Sequence, residues 1–325
     1  MCYSLRLVAK EALLERKLGA LVAFVFAISL QGATAGALQY EALPLTRSSQ
    51  NHLLVRAEVN GKTALLGVDT GAPVSAIALN RREHFGLAPI TGKSDLPSKL
   101  SINGAFNSVA VAKNLRLGSL NLVDEPLVLV DLGGLRRSSK RDEIDGILGA
   151  DILFPTKALL DCQRQLLVLK MNPSVPGTVP GFDFNGFRRI PIHVSDGFNL
   201  YVDGAVNGKP ARLMVDTGAF ATLLHSRFVR RMQIPLRETP FSSSGVNLKQ
   251  RGVQMATISR FSIGSMNLER KEVGVINLEG LIHGGLLDAS PPVVGLLGSE
   301  ILRRHHAIID FGTKSLYLKA ETLKR

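Results

Sequence analysis

The chain has 325 residues, 45% of them hydrophobic and 20% charged, enough apolar material for two ordinary domains or one large one. Tryptophan is absent and aromatics are few, so a core must be built from Val, Leu, Ile and Ala; neither disorder nor a collagen-like repeat fits. The net charge of +12 comes from scattered basic residues with few aromatics among them, which excludes a nucleic-acid-binding stripe and reads as a solvated basic surface.

In chain order, Arg6, Lys10, Arg16 and Lys17 precede an apolar run from Leu18 to Leu30. Ala33-Thr34-Ala35 and Ala35-Gly36-Ala37 then both fit a small-residue cleavage site. This order describes a secretory signal peptide over residues 1–37 and an exported protein, periplasmic or secreted. At 13 residues the run falls short of the roughly 18 expected of a spanning helix. An uncleaved N-terminal anchor, the only membrane association foreseen, is therefore the lesser alternative. Cleavage leaves one cysteine, Cys162, which cannot form an internal disulfide.

The rest reads mainly as short aliphatic strands separated by turn signals. Strands are expected over His52–Val59, Thr63–Val68, Phe106–Leu115, Asn121–Val130 and Leu166–Lys170, then Asn199–Val206, Val253–Ile263 and Leu316–Lys319. Asn60-Gly61 and Asn207-Gly208 are type I′ hairpin signals, since both central residues need positive φ. Helix is expected only in short pieces around Ser75–Arg82, Asp151–Leu159, Thr222–Met232 and Glu300–Ile308. Residues 171–187 contain three prolines and three glycines with no apolar period, as a linker does.

The chain also repeats itself. Residues 59–72 (VNGKTALLGVDTGA) match residues 206–219 (VNGKPARLMVDTGA) without a gap at an offset of 147. Residues 146–170 match 295–319 at an offset of 149, pairing Gly146 with Gly295, Gly149 with Gly298, and Asp161 with Asp310. Two blocks in the same order at nearly one offset mark a tandem duplication. We place the lobes at 38–172 and 188–325, joined by a linker over 173–187.

Each half carries Asp-Thr-Gly-Ala directly after an apolar strand: Asp69-Thr70-Gly71-Ala72 and Asp216-Thr217-Gly218-Ala219. Glycine permits a sharp turn at the strand end, the threonine hydroxyl can reach across to a partner loop, and the carboxyl sits where its pKa can be tuned. A single such tetrapeptide is weak evidence. Two of them, followed by Ile147-Leu148-Gly149 and Leu296-Leu297-Gly298, form a specific pattern. In these residues the chain resembles the aspartic peptidases of pepsin and retropepsin type, over roughly residues 50–325. Asp151 and Glu300, two residues after each glycine, are more similar to cellular retropepsin-like proteins than to viral ones.

The resemblance implies an all-β fold of two related lobes about a pseudo-twofold axis, with few short helices. It implies an aspartic endopeptidase whose catalytic pair is Asp69 and Asp216, supported by Thr70, Gly71, Ala72, Thr217, Gly218 and Ala219. The Ile147–Gly149 and Leu296–Gly298 segments would cross behind these loops. No cofactor or metal is required, the substrate is protein or peptide, and one chain supplies both carboxylates, so a monomer is expected. Ala72 and Ala219 stand where pepsin-like enzymes commonly carry a hydroxyl, and its loss leaves the pair less acidic. A flap is expected around Asn103, Gly104 and Phe106, with Gly245 marking its counterpart, although a flap tyrosine is missing.

Other residues are given structural roles. Cys162 aligns with Phe311 and belongs in a core; Asp161 and Asp310 read as turn-forming side chains. His225, His305 and His306 have no partner at metal-ligand spacing and are expected on exposed helix faces. The rival reading is a catalytically silent peptide-binding scaffold of the same fold.

Overall fold

The computed structural model describes residues 39–90, 108–132, 144–172, 174, 179–195, 198–245, 248–268, 270–287 and 292–320. The residues of the expected signal peptide, most of the linker's first half, and Asn103, Gly104 and Phe106 lie outside these. Among the described residues no helix is long and apolar enough to cross a membrane.

Each half is organised by one hairpin. Leu53–Val59 pairs antiparallel with Lys62–Val68, and Leu200–Val206 with Lys209–Val215. The turns take the expected left-handed conformation, with φ of 50° and 77° at Asn60 and Gly61, and 47° and 81° at Asn207 and Gly208. Both asparagines also stitch the turn to a neighbouring strand: Asn60 Oδ1 accepts from Asn114 N–H at 3.2 Å, and Asn207 Oδ1 from Arg260 N–H at 3.0 Å.

The second strand of each hairpin has Gly146–Leu148 or Val293–Leu297 laid parallel beside it. These crossing strands are apolar and buried on both faces, as inner parallel strands must be. Beyond them lie Ala76–Ala78 and Leu120–Val130 in the first half, and Leu223–His225 and Lys271–Ile276 in the second. A third sheet of six strands joins the halves. At its middle Leu159–Asp161 pairs antiparallel with Ile308–Asp310, Leu160 opposite Ile309, which puts the pseudo-twofold axis between them. Leu148, Leu160, Leu297 and Ile309 all belong to one continuous core spanning both halves.

The structure is thus all-β in two related halves with few short helices. Five expected elements are corrected. Ser75–Arg82 is a strand, Ala76–Ala78, followed by a 3-10 turn over Leu79–Arg81; Thr222–Met232 is a strand, Leu223–His225, followed by a helix, Ser226–Arg231. Both strands fill a gap between two others, and this pairing outweighs local helix preference. The helices at Ala150–Leu153 and Ser299–Arg304 stop early, because the following residues are drawn into the six-stranded sheet. Val253–Ile263 is two strands, Gln254–Ile258 and Phe261–Ile263, serving different neighbours.

Candidate active site

Asp69 and Asp216 sit where the two hairpins end. Asp69 N–H donates to the Leu148 carbonyl and Asp216 N–H to the Leu297 carbonyl, each at 3.0 Å, so each crossing strand fixes one aspartate. The apolar run before each aspartate makes that strand end rigid: Val68, Val215, Leu148 and Leu297 are all buried.

The two loops grip each other. Thr70 N–H donates to Thr217 Oγ1 at 3.0 Å, and Thr217 N–H to Thr70 Oγ1 at 3.1 Å. Each hydroxyl then donates across the axis at 2.7 Å, Thr70 to the Val215 carbonyl and Thr217 to the Val68 carbonyl. All four bonds are buried, so none can be lost to water cheaply.

This grip brings the carboxyls of Asp69 and Asp216 into mutual hydrogen-bond contact. Gly71 N–H donates to Asp69 Oδ1 at 2.8 Å; Gly218 N–H and Ala219 N–H donate to Asp216 Oδ1 at 2.8 and 2.9 Å. Both residues keep a partly open face to solvent, yet protein encloses the carboxyls closely enough that burial raises both pKa values. Asp216 is raised further because the charge of Asp69 opposes its ionisation. Such a pair holds one proton where an isolated carboxyl would hold none.

A second layer holds the loops from behind. Ser75 N–H and Oγ–H each donate to Asp151 at 2.7 Å, and Ser75 Oγ accepts from Gly149 N–H at 2.9 Å. In the second half Thr222 N–H donates to Glu300 at 2.8 Å, and Thr222 Oγ1 accepts from Gly298 N–H at 3.0 Å. Ala150 N–H and Ser299 N–H donate to the Ala72 and Ala219 carbonyls, each at 2.9 Å. The acids that follow the crossing strands therefore orient the turns, which orient the dyad.

A family model described as "Aspartyl protease" matches the sequence twice, at residues 55–152 and 202–301, together more than half of the chain. The chain belongs to the aspartyl protease family. Two solved structures are similar to this family member. One is the aspartic proteinase from Irpex lacteus, at 15% identity and a TM-score of 0.49, with 87% of this chain and 98% of that one covered. The other is Basic 7S globulin from soybean, at 9% identity and a TM-score of 0.46, with 88% and 96% covered. No curated protein matches the chain.

The remaining sequence-derived residues fall out as follows. Ile147, Leu148, Gly149, Leu296, Leu297 and Gly298 do cross behind the loops. Gly245 ends a hairpin strand, Ser242–Gly245, that pairs with Leu248–Arg251. Cys162 is buried in the core, where desolvation pushes its thiol up to about 12. Asp161 accepts from the backbone N–H groups of Gln163 and Arg164, and Asp310 from that of Thr313, closing turns. Among the described residues no cluster suited to a metal ion occurs.

Two histidine expectations are corrected: His225 and His305 are buried rather than exposed. His225 Nδ1 accepts from Leu278 N–H at 3.2 Å, and a ring nitrogen of His305 lies 3.0 Å from the Lys319 carbonyl. One residue of the site escaped sequence reasoning altogether. His52 is buried just before strand Leu53–Val59, and burial lowers its pKa while Asp69 and the Gly218 carbonyl oppose the shift. The available signal was the offset of 147, which pairs His52 with Asn199.

Proposed function

We propose that the chain is a single-chain aspartic endopeptidase, hydrolysing peptide bonds with a water activated between Asp69 and Asp216. The observation that supports this reading is the hydrogen-bonded carboxyl pair, enclosed by protein at the meeting point of two duplicated loops. The ionised member takes a proton from the water as general base. The protonated member donates to the scissile carbonyl oxygen, and proton transfer to the amine then releases the product. Neither a covalent intermediate nor a metal is needed. Because each Oδ1 is held by its own loop, the carboxyls need no reorganisation as charge develops.

The substrate is an extended protein or peptide lying across the dyad, with the Ser242–Arg251 hairpin acting as a flap. One chain brings both aspartates, so the enzyme works as a monomer, exported to a periplasm or secreted. Ala72 and Ala219 offer the carboxyls no hydroxyl, and burial raises both, which together favour a mildly acidic optimum.

Asp69→Asn and Asp216→Asn should each abolish cleavage of denatured protein and of a peptide library, assayed over roughly pH 3 to 7, with an unchanged circular dichroism spectrum. Absence of cleavage by the unaltered protein across that range, or cleavage that survives either substitution, overturns the reading.

A further inference from the structure

Where the two halves meet beside the second catalytic loop there is a cleft of about 540 Å³. Arg47 of the first half and Arg303, Arg304 and His306 of the second line it. So does Phe220, the residue directly after the Asp216–Ala219 tetrapeptide, with a ring 61% exposed. Glu300 is the one acid in the lining, and its Oε2 is taken by Thr222 N–H at 2.8 Å. Among the described residues neither Arg47 nor Arg303 has an ion pair. Burial and the like charge of Arg303 both work against the charge of Arg47.

Arg47 is fixed in place. Its Nη1 donates to the Asn51 carbonyl at 3.0 Å and to Asn51 Oδ1 at 2.9 Å, and its Nη2 donates to the Cys162 carbonyl. A guanidinium has five N–H groups, so Nε–H and one Nη2–H are left for a ligand. Arg303 and Arg304 end a short helix, Ser299–Arg304, where positive charge suits the unpaired carbonyls. That accounts for two of the arginines and not for Arg47, which belongs to the other half.

The duplication supplies an internal comparison. The offset of 147 places Val194 opposite Arg47 and Phe198 opposite Asn51; the offset of 149 places Phe154 opposite Arg303. The backbones agree. Asn51 and Phe198 have φ of 66° and 62°, and His306 and its counterpart Lys157 have φ of 50° and 44°. Asn51 N–H donates to the Ser48 carbonyl and Phe198 N–H to the Ser195 carbonyl, each at 3.0 Å. The side chains do not agree: Phe154 and Phe198 stack with ring centroids 5.8 Å apart. One copy of the position is closed by two aromatic rings, while the other is an open cleft walled by unpaired cations. Packing alone is met by the aromatic copy. Cations gathered around a concavity attract an anion into it, and arginine fits a carboxylate in particular.

We propose that this cleft sets substrate specificity: Arg47 and Arg303 take the carboxylate of an Asp or Glu side chain in a peptide that passes over Phe220, on the Asp216 side of the scissile bond. This rests on the peptidase reading above. Because the twin position is filled by Phe154 and Phe198, the preference for acid falls on one side of the cleaved bond only.

The test is a peptide library in which every member exists in a Glu and a Gln form, assayed at about pH 5.5, where the glutamate is ionised. In the parent, Glu at positions on one side of the cleaved bond should raise kcat/KM about tenfold or more over Gln. The ratio should fall to about threefold or less in Arg303→Gln and in Arg47→Gln, and should shrink in the parent as NaCl rises from about 50 to about 500 mM. A ratio near one, a ratio that neither substitution changes, or an equal preference on both sides of the bond overturns the proposal. Binding supplies a measurement without turnover. Fluorescently labelled Glu members should bind Asp69→Asn/Asp216→Asn about tenfold tighter than their Gln forms, and adding Arg303→Gln should remove most of that difference. Equal binding of the two forms overturns the proposal whether or not the parent cleaves. A parent that cleaves nothing while the binding difference holds and depends on Arg303 removes the peptidase reading and leaves an acidic-peptide site standing.

Discussion

Gly71 lies so close to the carboxyl of Asp216 that a β-carbon on it would come within 2.6 Å of Cγ; one on Gly218 would come within 2.5 Å of Cγ of Asp69. Each catalytic loop is therefore shaped by the absence of a side chain facing the other half's acid, and the carboxyls meet only because both loops are bare there. Gly71→Ala and Gly218→Ala should each displace the opposite carboxyl. A displacement of about 1 Å at reacting groups lowers rate on the order of 100-fold, the loss in kcat we expect. The fold should survive with a loss of about 1–3 kcal/mol by urea unfolding. Unchanged kcat in both variants would contradict the face-to-face geometry.

The threonine grip gives a second test. Replacing Thr70 by Val removes the acceptor for Thr217 N–H and the donor for the Val215 carbonyl, both buried. Two stranded polar groups cost about 2–6 kcal/mol together. Thr217→Val should cost a similar amount through Thr70 N–H and the Val68 carbonyl. Serine at either position keeps the hydroxyl and should recover most of the stability. Denaturant midpoints measure this, and because the single changes strand four different backbone groups the double Val variant should lose about the sum of the two.

These two tests concern the part of the molecule most legible in the sequence. The duplication, the Asn-Gly hairpins, the strands leading to Asp69 and Asp216 and the crossing segments could all be read because each is local: a turn dipeptide, an alternating or apolar run, a repeated tetrapeptide. The short inner strands Ala76–Ala78 and Leu223–His225 lie in segments whose sequence suggests helix. Three residues carry no period of their own, and only neighbours distant in sequence, Leu120–Val130 and Lys271–Ile276, define them as strands. The burial of His225 and His305 is not legible for the same reason: burial of a polar ring depends on partners such as Leu278 and Lys319 that no spacing rule connects to them. His52 is not legible in the sequence because the groups that act on it, Asp69 in its own half and Gly218 in the other, are brought near it only by the fold.

Stability against pH should carry the mark of the dyad. Burial raises both carboxyls above the ordinary value of 3.8 that an unfolded chain shows. Stability from their protonated forms is therefore complete below the unfolded value and is lost as pH rises through the higher folded values. Asparagine imitates the neutral carboxyl at every pH. Asp216→Asn, the more strongly raised member, should melt above the parent at neutral pH, with the gap closing as the buffer is made acidic. Asp69→Asn should show the same trend more weakly. A parent that melts higher than Asp216→Asn at neutral pH would contradict the raised pKa.

Glu125 offers a titration away from the dyad. It sits on strand Leu120–Val130, and burial, followed by the charge of Asp151, holds its carboxyl up to about 7 against an ordinary 4.5. Asp151 is itself raised by burial while its bonds from Ser75 oppose the shift, and it supports the turn behind Asp69. The sign follows from the direction of the shift. Protonated Glu125 favours the folded state below about pH 4.5, and that contribution fades as pH climbs through about 7. Glu125→Gln should therefore match the parent in thermal midpoint under acidic conditions and exceed it at about pH 8. With less negative charge facing Asp151, the variant should also hold the Ser75 turn more firmly in alkali, seen as slower hydrogen exchange at the Ser75 amide. Equal midpoints for parent and Glu125→Gln at both pH values would show that Glu125 titrates as an ordinary surface carboxylate.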